Sequence, residues 1–304
     1  MTIRFDDRVA IVTGAGVGLG REHALLLASR GAKVVVNDPG GAVDGRGSAH
    51  SVADQVVAQI RAAGGTAVAN YDSVAEKAAA QNIIDTAIKN FGRLDILVNN
   101  AGILRDKSFH KMEADDFEFV VQVHLMGTVY CTMAAWPIMR EQKYGRVVVT
   151  TSGSGTVGNF GQSNYGAAKM GVLGMINCLR HEGAKYNILT NAISPSARTR
   201  MTEGLISEAV LEYMKPELVS PAVAFMCSEQ CNFSGEVIGA GGGFYRRVKY
   251  MESEGVQFDP GAPVTLDMFE AEIDKIMDIS HPLPHGGGGS RRMEAKLREM
   301  GRIK

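Results

Sequence analysis

The sequence predicts an α/β protein built on a doubly wound parallel sheet of seven strands, with helices on both faces. Three observations carry this. Seven short β-branched runs recur along the chain, and stretches long enough for one helix each lie between the first six. The runs are apolar almost throughout, the pattern of strands covered on both faces. The first ends in T-G-A-G-V-G-L-G (13–20), a glycine-rich turn that opens a helix.

Taken in order, the strands are read at 8–14, 32–38, 67–72, 94–100, 146–152, 187–193 and 236–240. In a sheet of this Rossmann type, ligands bind outside the carboxyl ends of the strands, so each strand end is a candidate site. Two segments break the repeat. One is the polar loop 39–48. The other is 196–220, with Arg198, Arg200, Met201 and Met214, which is expected to act as a mobile lid. Past residue 245 the composition changes. F-Y-R-R-V-K-Y is basic and aromatic, 264–279 has helical spacing behind a Thr/Asp start, and H-G-G-G-G-S (285–290) reads as a flexible linker. The division expected is a catalytic domain over 1–245 and a C-terminal helical extension over 246–304 without a core of its own.

Bulk properties narrow the function class. The 304 residues are 45% hydrophobic with a formal net charge of -1, so nothing favours nucleic acid or a membrane surface as partner. The apolar runs are far shorter than a membrane span, and the N-terminus lacks the apolar stretch of a signal peptide. Cys131, Cys178, Cys227 and Cys231 follow neither a disulfide framework nor a zinc spacing. Cys227 and Cys231 read as buried thiols on one helix face. A cytoplasmic, reducing setting and no metal are expected.

The glycine turn has the spacing Gly14-x3-Gly18-x-Gly20, with Leu19 where the general dinucleotide fingerprint would differ. Gly14, Gly18, Leu19 and Gly20 are expected to take a pyrophosphate on the helix N-terminus. Asp38, at the end of the second strand, can accept both ribose hydroxyls of adenosine and would repel a 2′-phosphate. No Arg or Lys follows it directly, so NAD is expected rather than NADP. Asp72 and Ser73 end the third strand, and Asn100, Ala101 and Gly102 of N-N-A-G end the fourth. All five are expected beside the adenine and its ribose.

T-G-x3-G-x-G, N-N-A-G, Ser152 thirteen residues before Tyr165, and Y-x3-K (Tyr165, Lys169) together resemble the short-chain dehydrogenase/reductase family over roughly residues 5–245. The resemblance implies roles. Tyr165 is the acid/base for the substrate hydroxyl, Lys169 holds nicotinamide ribose hydroxyls and lowers the Tyr165 pKa, and Ser152 bonds the substrate oxygen. Physical chemistry points the same way, since residues four apart share a helix face and a nearby cation favours phenolate. Two positions depart from the family pattern. V-H-L-M-G puts His124 where an Asn is common, which leaves a relay residue and a packed histidine as open readings. S-P-S-A (194–197) replaces a frequent P-G, and Ser196 has less backbone freedom than Gly.

Within the family, N-D-P-G-G, N-N-A-G-I-L-R-D-K-S-F, V-H-L-M-G and G-N-F-G-Q-S-N-Y-G-A-A-K look like the (3R)-hydroxyacyl-CoA dehydrogenase modules of multifunctional enzyme type 2, also called 17β-hydroxysteroid dehydrogenase type 4. This implies NAD-dependent oxidation of a 3-hydroxyacyl-CoA; a stand-alone, bacterial-type dehydrogenase is expected, the terminal R-I-K not being a peroxisomal address. It also implies a homodimer or homotetramer. Arg105, Lys107 and Lys111, or Arg246, Arg247 and Lys249, could meet CoA phosphates or could be solvated faces. Two other functions stand beside this one, a dehydrogenase of a free hydroxysteroid or other secondary alcohol, and a non-catalytic NAD-binding scaffold. The presence of Ser152, Tyr165 and Lys169 argues against the scaffold.

Overall fold

The computed structural model describes residues 2–48, 50–198, 207–284 and 288–303. The seven expected strands all form, as β1 (Val9–Thr13), β2 (Lys33–Asn37), β3 (Thr66–Asn70), β4 (Ile96–Asn99), β5 (Gly145–Thr150), β6 (Ile188–Pro195) and β7 (Val237–Gly241). The helices between them are α1 (Gly18–Ser29), α2 (Ser51–Ala62), α3 (Lys77–Phe91), α4 (Ala114–Val121), α5 (Gly127–Gln142), α6 (Gly153–Thr156), α7 (Ser163–Gly183), α8 (Glu208–Leu211) and α9 (Ser220–Cys227).

An eighth strand, β8 (Phe244–Val248), goes beyond the expectation of seven. Gly242 and Gly243 take φ of +57° and +79°, the backbone of a two-residue hairpin turn that side chains disfavour. The turn folds F-Y-R-R-V back along β7 as an antiparallel edge, largely exposed. The sheet order is β3-β2-β1-β4-β5-β6-β7-β8, and every pairing from β3 to β7 is parallel. The chain winds outward from β1 to β3, then returns to start β4 on the other side of β1. This reversal opens a crevice beyond the carboxyl ends of β1 and β4.

The alternation of side chains along a strand divides the core. Val34 and Val36 of β2 pack with Leu27 and Ile60 on one face of the sheet, while Val35 packs with Ile83, Leu97 and Ile176 on the other. Burial on both faces is why the strands are written as unbroken apolar runs. The helical stretch Ala114–Gln142 joins α4 to α5 through a π-helical turn, Gln122–Met126. By length and composition it could cross a membrane, with mean hydropathy 1.3. Its Val120, Cys131, Ala135 and Met139 lie fully inside the core, which accounts for that apolar character.

Two compact units are present, Met1–Arg247 and Val248–Lys304. In the second, β9 (Met251–Glu252) pairs antiparallel with β10 (Leu283–Pro284). The helix expected over 264–279 starts as read, with Thr265 Oγ1 accepting from the Met268 N–H at 3.2 Å. It breaks at Glu272 into α10 (Leu266–Ala271) and α11 (Ile273–Met277). Leu266, Met277 and Ile279 are exposed, so no packed face holds a single long helix together. Gly288–Ser290, read as linker, form the first turn of α12 (Gly288–Glu299), and 285–287 lie outside the described residues.

Two smaller expectations change. Cys227 ends α9 and Cys231 lies in the loop beyond it, so the two do not share a helix face, although both are buried. Of the lid segment, Arg200 and Met201 lie outside the described residues. At its described margins, the Arg198 N–H donates to the Met214 carbonyl.

Candidate active site

The glycine turn is a close backbone junction. Gly14 and Gly18 take φ of +62° and +55°. A Cβ on Gly14 would stand 2.8 Å from the Ala101 Cα, and one on Gly20 would stand 2.2 Å from the Gly14 oxygen. α1 begins at Gly18 without a side-chain cap, leaving the N–H groups of its first turn, Leu19 and Gly20 among them, for an anion.

Asn100, expected beside the cofactor, has its side-chain amide engaged by the glycine turn. Its Nδ2 donates to the carbonyls of Thr13 (3.0 Å) and Gly14 (3.1 Å), and Thr13 Oγ1 accepts from the N–H groups of Asn100 and Ala101. The side chain clamps the glycine turn to the end of β4. Thr13, which sequence reasoning passed over, is the other half of that clamp. A Cβ on Gly102 would meet the His124 ring at 2.3 Å, so this glycine makes room for the histidine.

Asp38 stands at the end of β2 as read. Its Oδ2 accepts from the Gly16 N–H (2.8 Å) and its Oδ1 from the Gly40 N–H (2.7 Å). Each carboxylate oxygen has a further lone pair for a ribose hydroxyl. Asp72 accepts from Asn70 Nδ2 at 2.8 Å, and Ser73 Oγ caps the next turn at the Ala75 N–H. Uncapped amides, a cradle that a Cβ would fill and an acid at the ribose position together fit a nicotinamide dinucleotide.

Across the crevice, β5 delivers Ser152 and α7 delivers Tyr165 and Lys169. Ser152 caps α6, its Oγ accepting from the Ser154 N–H at 3.2 Å. The Lys169 ammonium lies 5.4 Å from the centre of the Tyr165 ring and donates to the Thr150 carbonyl at 2.7 Å. Lys169 is 3% exposed, whereas Tyr165 is only half-buried as a residue. Burial pushes the Tyr165 phenol up to about 12, opposed by a hydrogen bond with Ser152. Burial also pushes Lys169 down to about 7. In the protein alone the net direction at Tyr165 is therefore upward, with burial as the largest cause. Desolvation disfavours the charged form of each.

His124 sits in the π-helical turn, buried, with its ring edge-on to Tyr165 at 5.0 Å between centres. Its Nε2 lies 2.7 Å from the Ile103 oxygen and 3.0 Å from the Ile103 nitrogen, and its Nδ1 has no protein partner. Burial first, then the charge of Lys169, hold it well below the usual histidine range, so the ring is neutral. Among the described residues no cluster of three or more His, Cys, Asp or Glu side chains could hold a metal.

Residues 8–210 match the model of the short chain dehydrogenase family. The chain belongs to that family. It is 54% identical over 274 residues to a short-chain type dehydrogenase/reductase of Mycobacterium tuberculosis, covering 90% of this chain and 95% of the relative. A hydroxyacyl-CoA dehydrogenase of the same organism is 36% identical over 241 residues, covering 75% of this chain and 74% of that one. The solved structure of full-length peroxisomal multifunctional enzyme type 2 from Drosophila melanogaster superposes with a TM-score of 0.83 at 39% identity, covering 99% of this chain. This short-chain dehydrogenase spans about half of that enzyme, 51% of its chain. As a member of the family it is an oxidoreductase acting on CH–OH groups.

Proposed function

We propose that the protein oxidises 3-hydroxyacyl-CoA thioesters to 3-oxoacyl-CoA with NAD. The observation that carries this reading is the meeting of Ser152, Tyr165 and Lys169 at the same sheet edge as the Gly14–Gly20 cradle and Asp38. NAD, when bound, supplies the hydride acceptor. Tyr165 takes the proton of the substrate hydroxyl, and Ser152 donates to the substrate oxygen as it becomes a carbonyl. One of the three Lys169 donors is spent on Thr150, leaving two for ribose hydroxyls. Neutral His124 packs against the Tyr165 ring and limits its tilt. Arg105 and Lys107 share Asp116 at 3.2 and 2.9 Å, which leaves Lys111, exposed on the same segment, as a cation for CoA phosphates. The likeness to the hydroxyacyl-CoA dehydrogenase supports the same substrate class. Assembly as a homodimer or homotetramer in a cytoplasmic setting belongs to this proposal, the reducing compartment being supported by four free cysteines.

The test is NADH formation with each enantiomer of a 3-hydroxyacyl-CoA, set against a free hydroxysteroid. Turnover with one acyl-CoA enantiomer is expected, with higher kcat/KM than for the steroid. No turnover with either enantiomer rejects the reading. For the cofactor, Asp38→Ala is expected to lower the NAD-to-NADP ratio of kcat/KM by about tenfold or more, the size of one lost charge-assisted hydrogen bond.

A further inference from the structure

The turn carrying Ser152 is held by side chains that the reaction itself does not name. α6 is four residues long and has glycines at 153 and 155, a backbone with little rigidity of its own. Ser154, between them, donates through Oγ to Gln162 Oε1 at 2.6 Å. Gln162 is buried at the start of α7, three residues before Tyr165, and its Oε1 also accepts from Asn159 Nδ2 at 3.1 Å. Its Nε2 donates to Asp106 Oδ2 at 2.6 Å. Asp106 comes from the segment after β4, whose Lys107 N–H donates to the Gly161 carbonyl.

We infer that Asp106 and Gln162 are positioning residues, which act through Ser154 to hold Ser152 opposite Tyr165. The inference rests on the dehydrogenase reading above. An amide side chain can face either way, and the Asp106 carboxylate decides, because in its ionised form it only accepts; burial raises its pKa, and the bond from Gln162 works against that. The Gln162 NH₂ must face Asp106, so its oxygen must face Ser154, and the Ser154 proton is committed to that oxygen. Ser154 can then offer Ser152 only its backbone N–H and, at 3.4 Å, the lone pairs of its Oγ. That contact is too long to hold the Ser152 proton, which stays free to turn to Tyr165 or to a substrate oxygen.

The chain also ends in a charge. Tyr165 is faced by Ser152 from the β5 end, by His124 from the π-helical turn, by Lys169 from its own helix and by Asp106 from the segment after β4. The neighbouring cations Arg105 and Lys107 are engaged by Asp116. The Asp106 carboxylate opposes phenolate formation at Tyr165, adding to the effect of burial.

Asp106→Asn and Gln162→Ala separate a positioning role from a merely structural one. Both should lower kcat about tenfold while the NAD dissociation constant stays within twofold of the wild-type value. In Asp106→Asn alone, the limb of the pH profile that rises with Tyr165 ionisation should move about half a unit lower, because one negative charge is gone. Asp106→Glu, which keeps the acceptor and the charge, should recover most of the rate. Unchanged kcat and an unchanged profile in both variants would overturn the inference. If the wild-type protein oxidises no alcohol, the proposed function fails, and a second measurement still decides the network. This is an NMR titration of the Tyr165 ring carbon bearing the hydroxyl, assigned by its loss in Tyr165→Phe. A midpoint unmoved by Asp106→Asn overturns the network, and a lowered one supports it.

Discussion

Tyr165→Phe lowers the rate of alcohol oxidation by roughly 10²–10⁴-fold, the usual worth of a general acid–base group, and leaves NAD affinity within about twofold. The substitution removes one oxygen and keeps the ring that packs edge-on against His124. It leaves the cofactor cradle untouched, since Gly14 and Gly20 belong to the turn and helix after β1 and Asp38 follows β2, across the crevice. Steady-state NADH absorbance with a 3-hydroxyacyl-CoA measures the first effect, and NAD titration of the variant measures the second. Retention of more than a tenth of the wild-type rate would move the proton chemistry to another group. The wild-type rate should rise with pH toward the alkaline side, because burial raises the phenol and the base is its ionised form.

Gly20→Ala abolishes NAD binding at millimolar cofactor and lowers stability by about 1–3 kcal/mol, the cost of overpacking a tight junction. Its Cβ would meet the Gly14 oxygen at 2.2 Å and the Asn100 Nδ2 at 2.6 Å. The first is backbone. The second is the side chain that clamps the turn to β4. Neither can yield without moving the amides that would hold the pyrophosphate. Gly174→Ala in α7 is the matched control, since its Cβ meets nothing within 4 Å and alanine favours helix. Calorimetric NAD titration and urea unfolding of both variants check the pair. Wild-type NAD affinity in Gly20→Ala would mean that the turn is not the cofactor cradle.

The catalytic trio was legible because its members are close in sequence and placed by local geometry. Tyr165 and Lys169 are four apart on one helix, and Ser152 ends an apolar run. The ring of residues around them was not legible. Gln162 and Asp106 are 56 positions apart, and nothing in either neighbourhood signals the other. Asn100 shows a different limit. N-N-A-G marked the strand end correctly, yet only the approach of β1 to β4 reveals that its amide is spent on Thr13 and Gly14.

The chain by itself determined the alternation of strands and helices, the glycine turn and the spacing of Ser152, Tyr165 and Lys169. These are written locally, in side-chain periodicity and in backbone freedom. Tertiary structure decided the rest. It made F-Y-R-R-V a strand by giving it the edge of β7 to pair with, and it broke 264–279 because no packed face supports one long helix. It also set the proton affinities. Adjacency in sequence argued for a lowered Tyr165 pKa, and burial sets the net direction upward in the protein alone, because the cost of removing water from a charge is set by everything packed around it.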